Sequence, residues 1–260
     1  HCSETDLSDS LSFTSPKERL LRGLTDTNKA FHLRYLAHKH YSHYVKSSAR
    51  GFIGGRIDLI PHQLYVASEV ASRQIPRVLL SDEVGLGKTI EACLIMHRLL
   101  LSGRISRVLV LVPESLLHQW FVEMYRRFTL LFRIFDREYC ESLIETNPNM
   151  NVFLDEELAL VSLHFLANSP QWSYQAIAAG WDLLIVDEAH HLSEGSEEYH
   201  FVKRLAEHIN GLLLLTATPE QLGHHSHFAR LNLLDSARFY DFEKFEKNEA
   251  HYSKVASIAN

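Results

Sequence analysis

A chain of 260 residues with 46% hydrophobic content is long enough to bury one large core, or a core plus an extension. A net charge of −6 and a pI near 6.3 exclude a protein that coats nucleic acid with a uniformly basic surface. No apolar run approaches the roughly 20 residues of a membrane span, so no membrane partner is expected.

The first residues, HCSETDLSDSLSFTSP, carry neither the basic nor the apolar region of a signal peptide. The three cysteines, Cys2, Cys93 and Cys140, form no C-x-x-C pair, which suits a reducing compartment. Residues 1–58 are rich in Ser, His and Tyr, and GFIGGR (51–56) marks a break before a compact domain. FHLRYLAHKHYSHYV (31–45) reads as a helix. His32, His38, His40 and His43 on it show no closed metal-ligand spacing and are expected to be solvated or edge-packed. The tract His224-His225-Ser226-His227 is expected to behave likewise.

From Ile60 onward, short apolar runs alternate with helical stretches. Strands are expected at 78–80, 108–112, 132–135, 158–163, 183–186 and 212–215. Helices are expected near 62–74, 90–101, 114–128, 171–179, 197–208 and 226–234. This alternation predicts an α/β fold with a parallel sheet covered on both faces. Functional residues then belong at the carboxyl ends of the strands. Charge is uneven: Arg98 to Arg137 holds seven Arg against three acidic residues, a net of +4. Asp182 to Glu249 holds six basic and thirteen acidic residues, a net of −7. A local basic face is compatible with the acidic total.

The first strand runs into SDEVGLGKT. Gly87, Lys88 and Thr89 fit the end of the phosphate-loop pattern G-x-x-x-x-G-K-[ST], while Asp82 stands where its first Gly belongs. Strand, glycine-bearing loop and helix together aim backbone N–H groups at an anion. In this reading Asp82, Glu83, Val84, Gly85, Leu86 and Gly87 form the cradle, Lys88 reaches the β/γ-phosphates of ATP, and Thr89 holds Mg²⁺. A second strand ends in Asp187 and Glu188, within WDLLIVDEAHH (181–191). Asp187 is the candidate for Mg²⁺, acting through water, and Glu188 for orienting or deprotonating the attacking water. A third ends in Thr216, Ala217 and Thr218.

DEVGLGKT, DEAH and LTATP in that order resemble the first motor lobe of Swi/Snf-type superfamily-two nucleic-acid translocases. In that family Asp commonly replaces the first loop glycine, as at Asp82. The resemblance implies a RecA-like lobe, with Gln63 of LIPHQL reading the adenine edge, 25 residues before Lys88. It also implies that PESLLHQW (113–120), matching P-x-x-L-x-x-x-W, meets the phosphate backbone of a tracked strand. Ser115 would open a helix whose N–H groups can take a phosphate. Ala217 and Leu222 depart from the eukaryotic remodeller pattern and suit the family's bacterial RNA polymerase-associated branch, which the chain resembles from about residue 10 to about 245.

The implied organisation is a pre-motor extension (1–58), lobe one (59–245) and the start of a connection to a second lobe (246–260). The implied partners are RNA polymerase and duplex DNA, or RNA, in the bacterial cytoplasm near the nucleoid. Nothing from Asp235 to Asn260 resembles the second lobe's arginine motifs; FEKFEK (242–247) is a charged amphipathic run. Two other functions fit these motifs: a helicase or restriction-type translocase lobe, and a catalytically silent nucleotide-binding or polymerase-docking module.

Overall fold

The computed structural model describes residues 15–25, 27–47, 52, 55–58, 60–81, 87–217 and 223–247. The loop residues Asp82, Glu83, Val84, Gly85 and Leu86 lie outside these, as do Thr218 and Leu222. Backbone contacts divide the chain into two units, His1–Ser48 and Ala49–Asn260.

The first unit contains α1 (Pro16–Leu21) and α2 (Asn28–Lys46). Ser15 and Glu18 close a capping box on α1: the Glu18 N–H donates to Ser15 Oγ and the Ser15 N–H to Glu18 Oε2. On α2, His32, His38 and His40 are exposed, as expected of solvated imidazoles.

The second unit is built on six parallel strands. They are β1 (Arg77–Leu80), β2 (Val108–Val112), β3 (Arg133–Phe135), β4 (Leu158–Ser162), β5 (Leu183–Val186) and β6 (Gly211–Leu215). Their order across the sheet is β1-β6-β5-β2-β4-β3, every neighbouring pair being parallel. All six coincide with the apolar runs of the sequence. Central strands are buried along their whole length because both faces are covered, which explains runs such as VLVLV and LLIV in place of an alternating pattern.

Alternate residues nonetheless serve different layers. Val108, Val110 and Val112 join one core with α3 (Pro61–Ser72), α4 (Lys88–Leu101) and α5 (Leu117–Phe128). Leu109 and Leu111 join the other. That opposite layer draws on α6 (Arg137–Thr146), α7 (Leu163–Ala167), α8 (Pro170–Ile177), α9 (Glu197–His208) and α10 (His224–Leu234).

Three local features depart from the expected elements. The stretch 114–128 is not one helix: Glu114–Leu116 winds as a 3₁₀ turn after Pro113, and the α-helix starts at Leu117. The fourth strand ends at Ser162, whose hydroxyl accepts the Phe165 N–H and turns Leu163 into the first residue of α7. Helix α6 was not expected; Asp136 caps it by accepting the Tyr139 N–H at 2.8 Å. Phe52 is buried against the α3–α5 layer, and the Arg56 N–H donates to the Arg127 carbonyl at 2.7 Å, so this part of the GFIGGR stretch packs on the sheet unit.

Polar clasps hold the sheet's amino end. Arg77, at the start of β1, donates to the carbonyls of Ile209, Leu233 and Leu234, each at 2.7 Å, satisfying the ends of α9 and α10. Asp182, just before β5, accepts from the Ser106 N–H (2.7 Å), the Ser106 hydroxyl (3.0 Å) and the Arg107 N–H (2.9 Å). Burial alone would raise its pKa. The bonds from Arg107 and Ser106 outweigh that and hold it below the ordinary 3.8. The stabilisation is therefore present above pH 3.8 and lost as pH falls through the lower folded-state value. Asp182→Ala is expected to cost about 2 kcal/mol at pH 7. Urea unfolding across pH should show that penalty shrinking below 3.8; a penalty independent of pH contradicts the clasp.

Candidate nucleotide-binding site

Four adjacent strands, β1, β6, β5 and β2, end side by side. The ladder pairs Leu80 with Leu215, Leu214 with Val186, and Val186 with Leu111. It continues past the strand ends: the Thr216 N–H donates to the Leu80 carbonyl at 3.0 Å and the Asp187 N–H to that of Leu111 at 2.9 Å. The segments opening at residues 81, 216, 187 and 113 therefore share one rim of the sheet.

Gly87 precedes α4 as its N-cap with φ +85° and ψ +38°, a left-handed conformation that glycine adopts without strain. A Cβ there would also run into Gln63 Nε2. Gln63 is buried in the first turn of α3, behind Pro61, so its amide lies against the end of the candidate phosphate loop. The far end of α3 is tied down by Arg104, whose guanidinium donates to the carbonyls of Ala71, Arg73 and Gln74. Lys88 and Thr89 occupy the first turn of α4, both half-buried. Glu91, in the same first turn, is fully buried, with His62 Nε2 3.8 Å from its Oε1.

At the end of β5, the two oxygens of Asp187 receive one donor each. Oδ1 accepts the Glu188 N–H at 2.8 Å, and Oδ2 accepts the indole N–H of Trp120 at 2.7 Å. Burial pushes the Asp187 carboxyl above its usual range. The Trp120 and Glu188 bonds and the charge of Lys88 pull it down without cancelling the burial. A desolvated carboxylate near a lysine is suited to a cation. The hard oxygens of Asp187 and Thr89 suit Mg²⁺, which takes one or two protein ligands and completes its shell with phosphate and water. Among the described residues no group of three or more His, Cys, Asp or Glu could hold a metal. A shared phosphate–protein ion needs none.

Glu188 has φ +49°, a left-handed conformation that costs a non-glycine residue about 1–3 kcal/mol. The turn places its Oε2 3.0 Å from His190 Nδ1. Burial and the adjacent His191 lower the pKa of His190, which keeps the ring neutral at pH 7. Arg230, fully buried on α10, also acts on His190 through its charge.

The sheet thus brings Lys88, Asp187 and Glu188 to one rim and sets Gln63 against Gly87, while Asp82 to Leu86 lie outside the described residues. Ser115 sits in the 3₁₀ turn ahead of α5 and not at the α-helix start. The sequence motif contained Trp120 but assigned it no role. Its bond to Asp187 depends on β2 lying next to β5, which no local pattern reports. The tract at 224–227 is partly aromatic packing: the His225 ring stacks on Phe242 at 3.7 Å, and Phe228 meets Phe242 and Phe245.

Comparison with known proteins fits this geometry. The chain is 52% identical over 258 residues to the RNA polymerase-associated protein RapA of Sodalis glossinidius, covering 97% of this chain and 26% of that protein. It is 53% identical to RapA of Vibrio cholerae, with the same coverage. The chain spans about a quarter of the length of these relatives. Its fold matches the Sulfolobus solfataricus SWI2/SNF2 ATPase core in complex with dsDNA, with a TM-score of 0.61 at 18% identity over 74% of this chain and 39% of that one. The same core domain alone gives 0.59 at 20% identity, over 74% and 38%. A model of the SNF2-related domain matches residues 32–255, and with its motif order and parallel sheet the chain belongs to that family.

Proposed function

We propose that this chain is the ATP-binding first lobe of an ATP-dependent nucleic-acid translocase that remodels or recycles RNA polymerase during transcription. The observation that carries the proposal is the charge of Lys88, at the start of α4, acting on Asp187 at the end of β5, with Glu188 next to it in the chain. The RNA polymerase assignment rests on the names of the RapA relatives, and the duplex DNA assignment on the SWI2/SNF2 core solved with dsDNA. The protein would work in the bacterial cytoplasm, at the nucleoid. Residues 1–58 would be a pre-motor extension, 59–245 the lobe, and 246–260 the start of a connection to a second lobe.

ATP would lie over the end of β1, with Mg²⁺ supplying charge neutralisation at its phosphates. Lys88 neutralises the β/γ-phosphate oxygens, and the N–H groups at the start of α4 add their dipoles. Thr89 would hold the ion, Asp187 would reach it through water, and Gln63 would contact the adenine edge. Glu188, held by its strained turn at the end of β5, would orient the attacking water and take its proton. The segment opening at Glu114 would meet backbone phosphates, which read no sequence.

Binding of a fluorescent ATP analogue separates these roles. Lys88→Ala is expected to abolish binding, and Asp187→Asn to weaken only its Mg²⁺-dependent part. Glu188→Gln is expected to bind nearly normally and to stop turnover in a chain extended through the second lobe. Unchanged affinity in Lys88→Ala would sink the site, and an active Glu188→Gln enzyme would move the base elsewhere.

The chain alone is expected to hydrolyse ATP very poorly. The charge on the far side of the γ-phosphate would be met by arginines of the second lobe, groups worth on the order of 10³–10⁵ in rate. Duplex DNA should not rescue it. Phosphate release beside the extended chain checks this. Equal, measurable rates contradict a two-lobe mechanism, and no turnover in either favours a silent docking module.

A further inference from the structure

Trp120 is 1% exposed, its ring enclosed in the layer formed by α3, α4 and α5. Indole offers one polar atom, a donor only. That donor is spent on Asp187 Oδ2 at 2.7 Å, a contact between residues 67 apart in the chain. A tryptophan packed on all sides cannot re-aim its N–H, so the bond has one direction. The second carboxylate oxygen is held by the Glu188 N–H, from a turn in a left-handed conformation. The plane of the carboxylate is therefore defined from two independent elements, α5 and the turn after β5. Each oxygen keeps a lone pair that neither donor uses.

We propose that Trp120 is a positioning residue for the metal: its indole N–H orients Asp187 so that the free lone pairs face the ion bound with ATP. This rests on the nucleotide site proposed above and adds to it a residue outside the phosphate loop and the DEAH segment. Without the indole donor the Asp187 side chain can rotate about χ2, and a buried oxygen loses its partner. Donors behind metal-ligating groups characteristically set metal affinity, their loss costing roughly 10–100-fold. Trp120 also lies one turn into the helix that follows the 3₁₀ turn at 114–116. Movement of that helix would reach Asp187 through a single hydrogen bond.

The test is a MgCl₂ titration of fluorescent ATP analogue binding, made on the purified chain. Replacing Trp120 with benzothienylalanine keeps the ring shape and removes only the N–H; Trp120→Phe is the genetically encoded counterpart. Either folded variant should need roughly 10–100-fold more Mg²⁺ for half-maximal enhancement of binding, with a far smaller change in Mg²⁺-free affinity. On an Asp187→Asn background the same replacement should add little, since both changes remove one interaction. General loosening of the core would instead weaken Mg²⁺-free binding and add to Asp187→Asn. A wild-type Mg²⁺ requirement in the benzothienyl variant overturns the assignment. If the wild-type chain shows no Lys88-dependent binding, the nucleotide site itself fails, and the assignment with it.

Discussion

Parallel pairing of β1, β6, β5 and β2 is the constraint on which the rest of this molecule depends. Residues far apart in sequence act at one place only because these four strands end level with one another, as the bonds from Thr216 to Leu80 and from Asp187 to Leu111 show. The register is enforced by packing. A slip of one residue would exchange the Val108–Val110–Val112 face with the Leu109–Leu111 face and present every side chain to the wrong helical layer. The same slip would turn Asp187 away from Trp120.

Around that rim the structure holds charges and conformations that a pure stability optimum would avoid. Asp187 is desolvated beyond what its two donors offset, Glu188 is held at positive φ, and Glu91 is buried at the start of α4. Such features persist where the surroundings over-determine them. Here the surroundings are clasps at the opposite end of the sheet, where Arg77 and Asp182 bind the strand starts to helix ends and to one another's neighbours. The polar clasps lie at the amino end of the strands, and the strained polar groups at the carboxyl end.

The sheet was readable from sequence because doubly covered strands are continuous apolar runs, and GKT, DEAH and TAT mark their ends. The helices were harder to read. Helix α6 carries few apolar residues, Tyr139, Cys140, Leu143 and Ile144, on an otherwise polar segment. Leu163 looked like part of a strand because the capping role of Ser162 is visible only once the chain turns. The placement of Lys88, Asp187 and Glu188 at this rim was legible from residue type and strand position. The Trp120–Asp187 bond and the contact of Gln63 with Gly87 were not, because both depend on which strands and helices become neighbours. Strand order is a property of the whole fold and leaves no trace in a local pattern.

The central claim, that this register assembles one nucleotide site from the ends of β1 and β5, is tested most directly by a crystal structure of the chain with Mg²⁺ and a non-hydrolysable ATP analogue. The account predicts the triphosphate over Gly87 to Thr89 with Lys88 on its terminal phosphates, and the ion between Thr89 and the side of Asp187 that Trp120 leaves free. A triphosphate bound elsewhere, or bound at the loop with its ion remote from Asp187, would contradict it.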